Sequence, residues 1–135
     1  QDVVLHVEVG RGLAFGDLDN DGDTDLVIGN DAGPVRVLLN GIGHQQRWAG
    51  LRLLDPKGRD ALGARVIAKG TEGRTMMRRV RTDGSYASAS DPRVLLGAGA
   101  AAVPATVEIV WPDGTRESAA LSEKRYVIVR KASAR

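Results

Sequence analysis

The chain has 135 residues, 42% of them hydrophobic, with a formal net charge of +2 and no cysteine. That suffices for one ordinary domain, or one small domain plus a fragment of another, and it excludes a disulfide framework and any thiolate metal site. No apolar run approaches the ~18 residues of a membrane-spanning helix.

The opening stretch, QDVVLHVEVG, has neither the basic start nor the apolar core of a signal peptide. It reads as the middle of a strand, as in a mature or cut product. Leu5, Val7 and Val9 alternate there with His6 and Glu8, the period of a half-buried strand. Gly10 and Gly12 are expected to break it. LAF is then a short strand into an acidic loop, TDLVIGN a strand out of it, DAGP a turn and VRVLLN the next strand. Four strands in about 40 residues have the size of one propeller blade.

A glycine-rich spacer, NGIGHQQ, follows. Strands are then expected in RWAGLRLLD, GARVIAKG, RTMMRRVRT, RVLLGAG, ATVEIVW, RESAAL and RYVIVRK. Turns fall at PKGRD, near residues 71–73 and at PDGT, where proline sets φ and glycine tolerates a positive value. ESAALSEK has room for one helical turn. In ATVEIVW, Val107, Ile109 and Trp111 share one face. The fold class is therefore all-β: a propeller-type blade over residues 1–46 and a small antiparallel sandwich or barrel over residues 47–135. Charge divides the same way. Residues 1–46 hold only Arg11 and Arg36 against eight acidic groups, whereas the remainder is basic. With five aromatic residues in the chain, that basic half lacks a stacking platform, which argues against nucleic acid.

The segment AFGDLDNDGDTDLVIGN places aspartates at every second position: Asp17, Asp19, Asp21, Asp23 and Asp25. Such charge density is intelligible around a cation. Ca²⁺ takes six to eight hard oxygens at about 2.3–2.6 Å, whereas Mg²⁺ keeps more water. Counted from Asp17, carboxylates fall at positions 1, 3 and 5 and glycine at position 6, where the chain must reverse sharply. Asp23 at position 7 is expected to offer its main-chain carbonyl with its side chain outward, Asn20 to support the turn, and Asp25 to close the site. Position 12 of an EF-hand would be a bidentate Glu; here it is Ile28, and strands replace the flanking helices. The expected role is structural, since nothing nearby suggests the base a catalytic metal needs.

FGDLDNDGDTDLVIGN resembles the FG-GAP (VCBS-type) repeat, the calcium-binding blade of integrin-like β-propellers. RWAGLRL, GRDALGARV, GSYASASDPRVLLGAG and VEIVWPDGTRE together resemble the ASPIC/UnbV domain of the cartilage acidic protein family and of many bacterial secreted proteins. The resemblance implies a secreted, extracellular or periplasmic protein with a calcium-stabilised propeller. It implies side-chain ligands at Asp17, Asp19, Asp21 and Asp25 and a backbone ligand at Asp23, and no catalytic residues. One repeat cannot close a ring, so the partners are the remaining propeller blades or other copies of the chain. The short spacer requires the blade and the second domain to pack together.

The expected function is a non-enzymatic adhesion or scaffolding module. A carbohydrate-binding accessory is the alternative, with the polar loop from Ser85 to Asp91 or the basic cluster Arg78, Arg79 and Arg81 meeting an extracellular polysaccharide. A structural subunit of a homo-oligomeric or fibrous assembly is a third reading. Against the carbohydrate reading, hydroxyls of the Ser85–Asp91 loop are expected to satisfy their own backbone. Trp48, Trp111 and Tyr86 are expected in the core, with both indole N–H groups on backbone partners. Asp60 is expected in a structural ion pair with a neighbouring strand. Neither His6 nor His44 has a sequence neighbour that suggests a catalytic triad.

Overall fold

The computed structural model describes residues 8–70 and 74–133. Strands β1 (Gly10–Gly16), β2 (Asp25–Asn30) and β3 (Arg36–Leu38) form one antiparallel sheet in that order. Gly16 pairs with Asp25 across the first hairpin, so the aspartate loop is its closing turn. Gly10 and Gly12, expected to end a strand, instead begin β1. The ladder absorbs them with a register shift between the two, since a glycine at a sheet edge accommodates a bulge. The strand and the His6 position expected over residues 3–9 lie mostly outside the described residues. Its last member, Val9, accepts a backbone hydrogen bond from Asp31 at 2.8 Å.

The spacer forms one 3₁₀ turn, Gly43–Gln45. Beyond it come β4 (Arg47–Leu54), β5 (Arg65–Lys69), β6 (Thr75–Arg79), β7 (Val94–Gly99), β8 (Thr106–Val110), β9 (Arg116–Ala120) and β10 (Tyr126–Arg130). They make two sheets, β10-β4-β7 and β6-β5-β8-β9. The turn expected near residues 71–73 lies outside the described residues. The helical turn allowed for in ESAALSEK gives way to β9, because the hairpin after Trp111 lays Glu117 opposite Ile109 and Ser118 opposite Glu108. One ladder departs from the antiparallel expectation: β10 runs parallel to β4, with Tyr126 opposite Gly50. The chain leaves β9 for the other sheet through residues 121–125, and that crossing reverses its sense relative to a hairpin.

Alternation along β4 decides what each face does. Ala49, Leu51 and Leu53 are buried on one face, and Leu51 and Leu53 meet Val94 and Leu96 of β7 and, from the opposite side, Val66, Ala68, Val107, Ile109 and Trp111. Trp48 and Gly50 take the other face, beside Tyr126. Among the described residues, every buried hydrophobic side chain lies at Trp48 or beyond. The blade has no core of its own.

Two expectations fail on packing grounds. Trp48 and Trp111 are buried, yet both indole N–H groups lack a hydrogen-bond partner among the described residues, so ring burial outweighed an unmet donor. Tyr86 is 78% exposed. It sits in the irregular connection between β6 and β7, where no strand register carries it inward. Asp60 does form its ion pair, with Arg52 of β4 at 2.8 Å.

Leu51→Ala should cost about 2–5 kcal/mol, read by chemical denaturation, since Leu51 is fully enclosed between the sheets. A second measurement concerns the β8–β9 turn. Hydrogen bonds from Lys131 and then Thr115 lower the Asp113 carboxyl from its ordinary 3.8 to about 2. A depressed folded-state pKa contributes stability that is present above the unfolded value and lost as pH falls through the folded one. Asp113→Asn should therefore flatten the acid limb of the stability profile between about pH 4 and pH 2 relative to the parent.

Candidate metal loop and its clasp

The loop is shaped by its own carboxylates. Asp17, only 3% exposed, accepts backbone N–H groups of Asp21 (through Oδ1, 3.0 Å) and Gly22 (through Oδ2, 3.0 Å). Asp21 Oδ1 accepts the Asp23 N–H at 3.1 Å. Asp25, fully buried, accepts from Leu18 at 2.7 Å and from Asn40 at 2.8 Å. It thereby ties the loop to the segment after β3. Asn20 takes the left-handed conformation at φ 62° and Gly22 lies at φ 95°, the reversal that position 6 demands. A Cβ at Gly22 would also fall inside the Trp48 indole, so the loop seats directly on the second domain.

One carboxylate oxygen each of Asp17, Asp19 and Asp21 lies within 4.8 Å of the others, a group able to hold a metal ion. The carboxylates of Asp23 and Asp25 stand outside that group. Asp23 does not turn outward as expected. It is 4% exposed; its Oδ2 accepts the His44 N–H at 3.0 Å, and its Oδ1 is buried with no partner among the described residues. The 3₁₀ turn brings His44 to this side of the loop, with Nδ1 3.2 Å from Asp21 Oδ2.

Two residues from the second domain complete the assembly, and spacing along the chain gives no hint of either. The Tyr126 phenol donates to Asp17 Oδ2 at 2.7 Å. Burial first, then this hydrogen bond and the Asp17 charge, push the Tyr126 pKa far above its ordinary value, so the group stays a donor. Arg93 donates to the Asp17 carbonyl at 2.5 Å and to Asn20 Oδ1 at 2.5 Å, pairs with Asp91 at 2.6 Å, and lies 4.2 Å from the centre of the Tyr126 ring. Burial opposes the guanidinium charge, but the Asp91 hydrogen bond and the neighbouring charges outweigh it, so the pKa stands above the ordinary arginine value. Arg93 falls in GSYASASDPRVLLGAG, one of the stretches that carry the ASPIC/UnbV resemblance, whereas Tyr126 falls in none of them.

The polar loop between β6 and β7 serves the same junction. Asp91 N–H donates to the Phe15 carbonyl at 2.9 Å, and Ser90 Oγ accepts the Phe15 N–H at 3.4 Å. Ser88 Oγ returns to the Tyr86 carbonyl at 3.0 Å. These hydroxyls satisfy backbone, their own and that of the blade.

Residues 55–134 match the ASPIC and UnbV family, more than half of the chain. The chain belongs to that family. Residues 9–42 match the FG-GAP repeat. No curated protein matches the chain by sequence. The clasp thus joins the two matched parts: the FG-GAP repeat contributes Asp17 and Asn20, and the ASPIC/UnbV part contributes Arg93 and Tyr126. Strand β4, central to its sheet, lies between the matched ranges. FG-GAP repeats are propeller-blade motifs, and this pairing is that of a β-propeller-like module of extracellular, adhesion type. No helix of the described residues is long and apolar enough to cross a membrane.

Tyr126→Phe keeps the ring and removes one donor from a buried carboxylate. It should cost about 1–3 kcal/mol in denaturant unfolding. Gly22→Ala should cost more, because the left-handed backbone and the indole both oppose a methyl group there. Limited proteolysis should then cut the blade before the sandwich.

Proposed function

We propose that the chain is a non-enzymatic, calcium-binding adhesion or scaffolding module, secreted or periplasmic, forming part of an integrin-like β-propeller protein. The observation that carries this reading is the convergence of Asp17, Asp19 and Asp21 inside a loop already shaped for it. The donor set is all hard oxygen, as Ca²⁺ requires. In the proposed site these three carboxylates, the Asp23 carbonyl and Asp25 surround the ion. The N–H bonds to Asp17 and Asp25 are compatible with this, because an ionised carboxylate offers about four lone-pair directions and each oxygen here accepts only one or two. Carboxylates so tied to backbone fix the shape of a loop, which supports a structural ion.

The partners proposed are further blades or other copies of the chain. Support comes from the coreless blade and from Val35, Val37, Leu39 and Ile42, all exposed in and around β3. An uncovered strand of this composition needs a neighbour.

In calcium, the unfolding temperature should rise, by an amount corresponding to about 2.7 kcal/mol at a hundredfold excess over Kd. Asp19→Ala should abolish that rise. Asp19 is exposed and its side chain adds only charge when no ion is present, so in metal-free buffer the variant should unfold no lower than the parent. Equal melting with and without calcium, together with no bound ion by calorimetry, would overturn the reading.

A further inference from the structure

We propose that Asp21, Asp23 and His44 form a second metal site, for a zinc-class divalent cation, beside the calcium loop and sharing Asp21 with it. One ligand atom of each residue lies within 4.8 Å of the other two. The finer geometry is more selective. His44 Nδ1 stands 3.2 Å from Asp21 Oδ2 and 3.6 Å from Asp23 Oδ2. Ligands at about 2.0–2.2 Å from a tetrahedral zinc ion are separated by about 3.3–3.6 Å. The donors already lie along two edges of such a tetrahedron.

Asp23 Oδ2 also accepts the His44 N–H, but two other valences of the cluster are unmet. His44 Nδ1 and Asp23 Oδ1 are both buried and lack a hydrogen-bond partner among the described residues. Asp23 is itself only 4% exposed. A buried carboxylate oxygen and a buried imidazole nitrogen without hydrogen-bond partners, on two side chains of one cluster, are groups that a bound cation satisfies. Imidazole with two carboxylates suits zinc-class ions, whereas calcium selects oxygen alone. The His44 side chain is 41% exposed although its Nδ1 is buried, so the cluster lies just beneath the surface, and a water is proposed for the fourth position.

The backbone holds the arrangement in place. Asn40 N–H donates to Asp25, and His44 N–H to Asp23, so the spacer is stitched to the loop both before the 3₁₀ turn and within it. At Gly43 the chain passes so close that a Cβ would stand 2.5 Å from the Asp23 Cβ. This approach is available only to glycine, and it is what delivers His44 to the carboxylates.

The test uses the full chain, freed of metal and then saturated with calcium. Zn²⁺ is titrated by calorimetry, and Co²⁺ is followed by its tetrahedral visible absorption. One equivalent should bind. His44→Ala should weaken zinc binding by about tenfold or more while leaving the calcium response intact, and Gly43→Ala should weaken it with every ligand still present. Asp19→Ala should do the reverse, losing the calcium response and keeping zinc, so failure of the calcium reading is separable from failure of this one. Absence of stoichiometric zinc or cobalt binding overturns the proposal, and leaves His44 as an ion-pair partner of Asp21. Zinc binding that Asp19→Ala removes and His44→Ala does not also overturns it, since the ion would then occupy the aspartate loop.

Discussion

A carboxylate taken out of water must be met by donors or it will not stay charged, and Asp17 meets that constraint across a domain boundary. Two of its donors, the N–H groups of Asp21 and Gly22, exist only once the loop has coiled. The third, the Tyr126 phenol, exists only once β10 lies beside β4. Coiling of the loop and docking of the blade therefore complete the same set of bonds. Arg93 adds a positive charge at the loop's carbonyl edge, held in place by Asp91 and by the face of the Tyr126 ring. Part of the repulsion among the five aspartates is thus offset by the protein itself.

That clasp explains how a sheet without a core is retained. Three strands with no buried hydrophobic side chain gain little from their own burial. What they have instead is an edge strapped by the polar loop, a glycine turn pressed on Trp48 and an acidic end facing a basic domain. The outer face of β4 is suited to this. Gly50 leaves room for the Tyr126 ring, and Trp48 supplies the floor on which the loop rests. The asymmetry of charge between residues 1–46 and the remainder is, on this view, an interface property.

Much of this was legible in the sequence where the signal is local. Short runs between glycine- and proline-bearing turns marked β4 to β10, and in β8 alternation set Val107 and Ile109 on the one face that reaches the core. Aspartate spacing with Gly22 at position 6 marked the loop, because only glycine takes φ 95° cheaply. What sequence could not carry was contact between distant positions. Tyr126 lies 109 residues from Asp17 and Arg93 lies 73 from Asn20; no local pattern links them. The parallel placement of β10 depends on which sheet the chain crosses to after β9. Asp23 went inward for a similar reason: the spacer folds back over it and presents the His44 N–H, a donor that counting along the loop does not reveal. The expected indole partners failed because hydrogen-bond satisfaction was inferred residue by residue, while the core was filled by volume.

The sharing of Asp17 has a thermodynamic consequence for the proposed calcium ion. If docking of the second domain orders the carboxylate that the ion uses, docking raises metal affinity. Linkage then requires the ion to strengthen docking by the same factor. No moving part is needed, only one side chain common to two equilibria. A blade held by polar contacts can in this way be weakly attached without metal and firmly attached with it, and the region able to respond is the junction, since the sandwich core, built from Leu51, Leu53, Val66 and Ile109, shares no side chain with the loop.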